Sequence, residues 1–226
     1  MLPTALRRLF LFLLALAGPL QAGEPVLDAP EDIVAMLQPY LPEEAGSQRK
    51  LETLLSEILA TEGYFSPKFE FSGSAEQRRV KIDPGPQTRI ASVDVTVDGQ
   101  IEAKNRDELI ASWRLPVGEP FRQEDWNDAK QQVLARLLGN EHAAARLLDS
   151  AAEIDPETQR AKLSAHYDAG PRYRFGELRI EGLQRYSPAL IERYNRDLHP
   201  GDLYRDDKLN TLLANLQATP YFASVQ

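Results

Sequence analysis

"GPRYRFGELRIEGLQ" runs from Gly170 to Gln184 and reads as a turn, a strand and a second turn. The chain carries the same phrase once before, as "GPQTRIASVDVTVDGQ" from Gly85 to Gln100. Each copy opens Gly-Pro and follows with an arginine–apolar pair, Arg89-Ile90 in one and Arg174-Phe175 in the other. Alternation then resumes at Val93 and Val95, or at Leu178 and Ile180, and each copy closes on glycine, at Gly99 and Gly182. A period of two places one face of a strand in a core. Strands are therefore expected after Arg89 and over Arg174–Glu181.

Outward from this phrase the copies keep matching. Before each Gly-Pro lies an alternating stretch, "RRVKIDPGP" with Val80 and Ile82 on one side, and "RAKLSAHYDAGP" with Leu163, Ala165 and Tyr167 on one side. Asp83 and Asp168 open the turns, and Gly85 and Gly170 permit the backbone angles a turn requires. After each closing glycine comes a pair of helices. In the later copy Ser187 is an N-cap and Pro188 a first-turn proline, with Leu190, Ile191 and Tyr194 on one face and His199-Pro200-Gly201 as the stop. In the earlier copy Leu109, Ile110 and Trp113 mark the face and "LPVG" (Leu115–Gly118) is the stop. The second helices carry apolar stripes at Trp126, Ala129, Val133 and Leu137, and at Leu209, Leu212, Leu213 and Leu216.

A third copy lies near the start. "SQRKLETLLSEILATEGYF" has its stripe at Leu51, Leu54, Leu55, Ile58 and Leu59, and its end resembles "ATPYF" near the C-terminus. "APEDIVAMLQPYLP" supplies a preceding helix through Ile33, Val34 and Leu37, and "SPKFEF" a following strand. The repeating unit is strand, helix, helix, strand, strand. The predicted organisation is a signal peptide at 1–22 and units at 23–85, 86–170 and 171–226. In the first unit the opening strand is short, at "PVLDA", or missing. The third unit is expected to be incomplete, with one strand, both helices and the start of another strand in "YFASVQ".

The signal-peptide expectation rests on Arg7 and Arg8, the apolar run "LFLFLLALA", and Ala22 at a cleavage point. That run is shorter than the roughly 20 residues a spanning helix needs. The net charge of −8 disfavours nucleic acid, whose phosphates call for clustered Lys and Arg. The 226 residues contain no cysteine, which excludes disulfides, thiolate metal sites and thiol catalysis.

Catalytic patterns are lacking. His142, His166 and His199 show no metal-ligand spacing, and Glu124, Asp125 and Asp128 open a helix, where acidic side chains suit the dipole. There is no G-x-S-x-G elbow, P-loop or dinucleotide fingerprint, so no catalytic, metal or cofactor residue is nominated. Tyr64-Phe65 and Tyr221-Phe222 follow helix ends and are expected to plug the core there.

The Gly-Pro strand entry, "LATEGYF" and "GDLYRDDKLNTLLANLQATPYFASV" resemble the POTRA domains of the BamA/TamA outer-membrane assembly superfamily, most of all its TamA branch. The resemblance covers nearly all of the chain after residue 22. It departs where "LGNEHAAARL" (Leu138–Leu147) replaces the Gly-Tyr-Phe turn. The resemblance implies an α+β fold of tandem β-α-α-β-β units, two helices on a three-stranded mixed sheet. It also implies a non-enzymatic role on the periplasmic face of the outer membrane. Clients there are unfolded outer-membrane and autotransporter polypeptides, received by strand addition, and the partner is a TamB-like periplasm-spanning protein. By the same resemblance the exposed edge is the second strand: Lys68, Phe69, Glu70 and Phe71 in unit one, and Ala145 to Ala151 in unit two. Hinges are expected at Asp83, Pro84, Gly85 and Pro86, and at Asp168, Gly170 and Pro171. The three units leave no room in these residues for the β-barrel of that superfamily, so membrane insertion would belong to a longer parent chain. Two other readings stay open: a stand-alone periplasmic adaptor of such modules, and an exported enzyme without a recognisable motif.

Overall fold

The computed structural model describes residues 24–43, 47–74 and 77–225. The signal-peptide expectation at 1–22 lies outside them. Among the described residues no helix is long and apolar enough to cross a membrane. The chain divides into two compact units, one running to Glu57 and including Pro67–Pro84, the other made of Ile58–Ser66 and everything from Gly85 onward.

The first unit holds β1 (Val26–Asp28), α1 (Glu31–Leu37), most of α2 (Gln48–Thr61), β2 (Lys68–Ser72) and β3 (Arg79–Asp83). The opening strand at "PVLDA" is thus present and short. Its sheet has the order β1-β3-β2, with β1 parallel and β2 antiparallel to β3. Alternation decides which side chains go inward: Val80 and Ile82 of β3 are buried, Arg79, Lys81 and Asp83 are exposed. Ile33 and Leu37 of α1 and Leu51 and Leu55 of α2 are also buried, as their helical spacing predicts. Each such side chain, fully buried, contributes about 1.5–3 kcal/mol.

The second unit contains β4 (Arg89–Asp98), α3 (Ala103–Ala111), α4 (Gln123–Leu138), β5 (Arg146–Asp155) and β6 (Arg160–Asp168). Its sheet repeats the first in order and sense, β4-β6-β5, with β4 parallel and β5 antiparallel to β6. All four residues of the predicted α4 stripe are buried, Trp126, Ala129, Val133 and Leu137. They join Ile90, Val95 and Val97 of β4 and Ala161, Leu163, Ala165 and Tyr167 of β6 in one core. Trp113 meets Trp126 edge-on at 5.8 Å between ring centroids, a favoured aromatic geometry. Tyr167 is fully buried. Its hydroxyl donates to the Lys130 carbonyl oxygen at 3.0 Å, and desolvation pushes its pKa up to about 12.

The repeated phrase has a physical meaning that periodicity alone does not disclose. Arg89 Nη1 donates to the Gly118 carbonyl at 2.8 Å, and Arg174 Nη1 donates to the Gly201 carbonyl at 2.7 Å. The backbone around each arginine does the same in both copies. Ile90 N donates to Glu119 O at 2.9 Å and Gly118 N to Ile90 O at 2.8 Å. Phe175 N donates to Asp202 O and Gly201 N to Phe175 O, both at 2.8 Å. "LPVG" and "LHPG" therefore do more than stop a helix. They fold back and clip onto the strand entry.

Two expectations for 171–226 are corrected. Arg174–Glu181 is not a strand; it makes one isolated antiparallel bridge, Arg174 with Leu203. Strand geometry is held by a ladder partner, and among the described residues no strand lies beside it. Leu178 is accordingly exposed. "YFASVQ" also forms no strand through Val225. The helices are present: α5 (Pro188–Glu192), capped by the Ser187 hydroxyl, and α6 (Asp206–Gln217), with Leu212 and Leu216 buried. With Leu198 they form a small core of their own, against which Phe175, Ile191, Tyr194 and Phe222 pack. Of the two expected aromatic plugs, Phe65 packs on the second unit's core and Phe222 on this smaller one, whereas Tyr221 is exposed.

Candidate functional site

The strand order leaves the nominated strands at sheet edges. Among the described residues β2 pairs with β3 alone and β5 with β6 alone. An edge strand turns every second backbone N–H and C=O away from its neighbour, and these groups can accept another extended chain.

The β2 edge is short and bulky. Phe69 and Phe71 face the core side, opposite Ile82 and Val80 of β3, with ring centroids 6.3 Å apart. Lys68, Glu70 and Ser72 point outward. Glu70 is engaged across the sheet by Lys81 at 3.2 Å. All four nominated residues, Lys68 to Phe71, lie in β2.

The β5 edge is twice as long and runs past the nominated Ala145–Ala151 to Asp155. Leu147, Ser150, Ala152 and Ile154 take the core side, opposite Tyr167, Ala165, Leu163 and Ala161 of β6. Asp149, Ala151 and Glu153 take the outer side, opposite His166, Ser164 and Lys162. A bulge between Leu147 and Asp149 shifts the register and leaves Leu148 exposed. That bulge and the run of small residues hid the strand's alternation. Its end was readable, because Asp155-Pro156 is a turn signal. Asp155 Oδ1 accepts from the Glu157 and Thr158 amides at 3.0 and 3.2 Å, and Oδ2 accepts from the Thr158 hydroxyl at 2.6 Å. The Thr158 bonds hold the Asp155 carboxyl below its usual range.

The nominated hinge residues differ in surroundings. The division between compact units falls between Pro84 and Gly85. Residues 168–171 lie wholly in the second unit. There the Asp168 carboxylate accepts from the Gly170 amide at 2.8 Å and from Arg146 at 3.1 Å, and its pKa is lowered, chiefly by the Gly170 bond. Ala169 is fully buried and donates to Asp98 O at 2.9 Å, and Gln100 N donates to Gly170 O at 3.0 Å. Beyond Pro171, Arg172 bridges Glu141 at 2.5 Å and Glu102 at 3.0 Å.

The histidines have separate surroundings. His166 Nε2 is 2.8 Å from Asp98 Oδ2, His199 Nδ1 is 3.4 Å from Asp202, and His142 is buried. Among the described residues no group of His, Asp or Glu is arranged to hold a metal ion. Glu124 and Asp125 occupy the first turn of α4.

Two helices on a three-stranded sheet, one edge pair parallel and the other antiparallel, define the POTRA fold. The chain is similar in structure to POTRA domains 3–5 of BamA from Haemophilus influenzae, with a TM-score of 0.51 and 16% sequence identity over 91% of this chain and 88% of that one. POTRA domains 1–3 of the periplasmic domain of Omp85 from Anabaena align over 91% of this chain and 87% of that one, at 11% identity and a TM-score of 0.40. No protein-family profile matches the sequence.

Proposed function

We propose that this chain is the periplasmic, polypeptide-binding scaffold region of an outer-membrane protein assembly factor. The observation that carries the reading is the pair of free edges, β2 and β5, on sheets of POTRA fold. Strand addition at such an edge draws its affinity from main-chain bonds and asks little of the client's sequence. That suits a module receiving many unfolded chains. In this reading 1–22 is the signal peptide, and 23–85, 86–170 and 171–226 are successive POTRA units. The TamA-like motifs favour autotransporter clients and a TamB-like partner over the general assembly role.

The test places a photo-crosslinking residue at Glu70, at Ala151, or at the exposed Lys104 of α3 as a control. Each variant is exposed to an unfolded outer-membrane polypeptide. Crosslinks at Glu70 and Ala151, absent at Lys104, are expected, and a folded Glu70→Pro variant should lose the β2 signal. Equal labelling at all three positions would sink the strand-addition reading.

A further inference from the structure

The two edges are built for different strands. At β2 the core side is already filled by Phe69 and Phe71, and the outer carboxylate of Glu70 has Lys81 as its ion-pair partner. At β5 the middle of the core side is small, Ser150 and Ala152, both half-buried beside the fully packed β6. Its outer side presents Asp149 and Glu153, both exposed, with only Ala151 between them. On the β6 side Lys162 stands opposite Glu153, and His166, opposite Asp149, is bonded to Asp98. On the free side no described strand supplies a counter-charge.

We propose that the β5 edge selects extended strands bearing Lys or Arg on the face opposite Asp149 and Glu153, and large apolar residues on the face beside Ser150 and Ala152. The proposal rests on the strand-addition reading given above and concerns which strands this one edge prefers. Residues directly opposite on neighbouring strands have Cβ atoms about 4.5–5.5 Å apart, close enough for opposite charges to attract and like charges to repel. Two acidic positions four residues apart on β5 lie on the same face, so both would be read by alternate residues of a single added strand. Large apolar side chains beside Ser150 and Ala152 would extend the core cluster, which Ala152 and Ile154 already edge. The net charge of −8 also speeds the approach of a cationic strand, but that effect is shared by the whole surface.

The test uses the full chain and two labelled peptides of alternating pattern. Both carry Val, Ile and Phe on one face; one has Lys on the other face and one has Glu. Affinities are read by fluorescence anisotropy at low and at 0.5 M salt, where a surface charge effect is screened to within about 5 Å. The Lys peptide is expected to bind about three- to tenfold tighter at low salt. That preference should shrink at high salt and reverse in Asp149→Lys/Glu153→Lys at low salt. It should persist in Glu52→Lys/Glu57→Lys, which changes the net charge equally at exposed positions of α2. Equal binding of the two peptides, or an unchanged preference in Asp149→Lys/Glu153→Lys, overturns the selectivity while leaving strand addition intact. Failure of both peptides to bind overturns strand addition itself.

Discussion

The same phrase, written twice, folds to two different results. After Arg89 it becomes a ten-residue strand in parallel register with β6. After Arg174 it becomes an extended segment with one isolated bridge. Both copies nevertheless close the same clip, arginine to glycine carbonyl, at 2.8 and 2.7 Å. The clip is the shorter-range of the two contacts: Arg89 and Arg174 reach glycines 29 and 27 residues on, in the turn that returns to the strand entry. The strand is not local, because its ladder requires a neighbour from elsewhere in the chain. The comparison therefore separates what the strand entry and its returning turn specify together from what requires a further strand.

Amide exchange would put the largest number on this difference. Val93–Val97 lie in a ladder over a core that includes the fully buried Tyr167 and Leu163, so their amides should open only with much of the unit. Residues 176–181 make no ladder bond among the described residues and are mostly exposed. Exchange there should be faster by at least about a thousandfold, given that core openings approach the global stability of several kcal/mol. Similar protection in the two segments would show that the second copy pairs with something in solution, and the contrast between them would fail.

The comparison also explains what was legible. Helices with clean stripes were, because burial follows 3.6-residue spacing: Trp126, Ala129, Val133 and Leu137 are all buried. β6 was, because Leu163, Ala165 and Tyr167 alternate without interruption. β5 was visible only in its first half. A bulge at Leu148 and the small Ser150–Ala152 stretch blur its two faces, so the acidic outer row at Asp149 and Glu153 escaped notice. The expected strand at Arg174–Glu181 failed for the opposite reason: its pattern is clear and its partner is missing among the described residues. The repeat itself was legible, but its purpose was not. The sequence shows Arg89 and Gly118 recurring as Arg174 and Gly201, while the hydrogen bond joining each pair appears only in three dimensions.

The clip can be weighed at its glycines. Gly118 and Gly201 have φ of +96° and +91°, and a Cβ at either would meet nothing within 4 Å. Substitution by alanine therefore tests backbone strain without a steric clash. A non-glycine residue held there costs of the order of 1–3 kcal/mol. If the two clips are one device, Gly118→Ala and Gly201→Ala should destabilise their own surroundings by similar amounts, read from urea unfolding and from local exchange at Ile90 and Phe175. A penalty at Gly118 with none at Gly201 would mean that the second clip is not held in its observed form without a sheet behind it.

The smallest expected effect concerns the loop that receives the second copy. Glu141 O accepts from Tyr173 N at 2.6 Å, Gly139 O accepts from Asp206 N at 3.0 Å, and the Glu141 carboxylate holds Arg172. Between these contacts and β5 lies His142, 5% exposed, with Nδ1 lacking a hydrogen-bond partner among the described residues. Burial is the leading cause that lowers its pKa below the ordinary 6.5, and the nearby Arg172 adds to it. Glu141 and the Ala169 and Pro171 carbonyls act the other way without cancelling the shift. A histidine whose folded pKa is depressed is protonated more readily in the unfolded chain. Its contribution is thus fully present above about pH 6.5 and is lost as pH falls through that value toward the folded pKa. Stability should decline between pH 7.5 and 5.5, with Tyr173 and Asp206 less protected at the lower pH once their exchange is corrected for the intrinsic rate. In a folded His142→Gln variant the decline should be shallower and the local protection less sensitive to pH. An identical slope in the two proteins would assign the pH response to other groups and leave His142 as a packing residue of the loop.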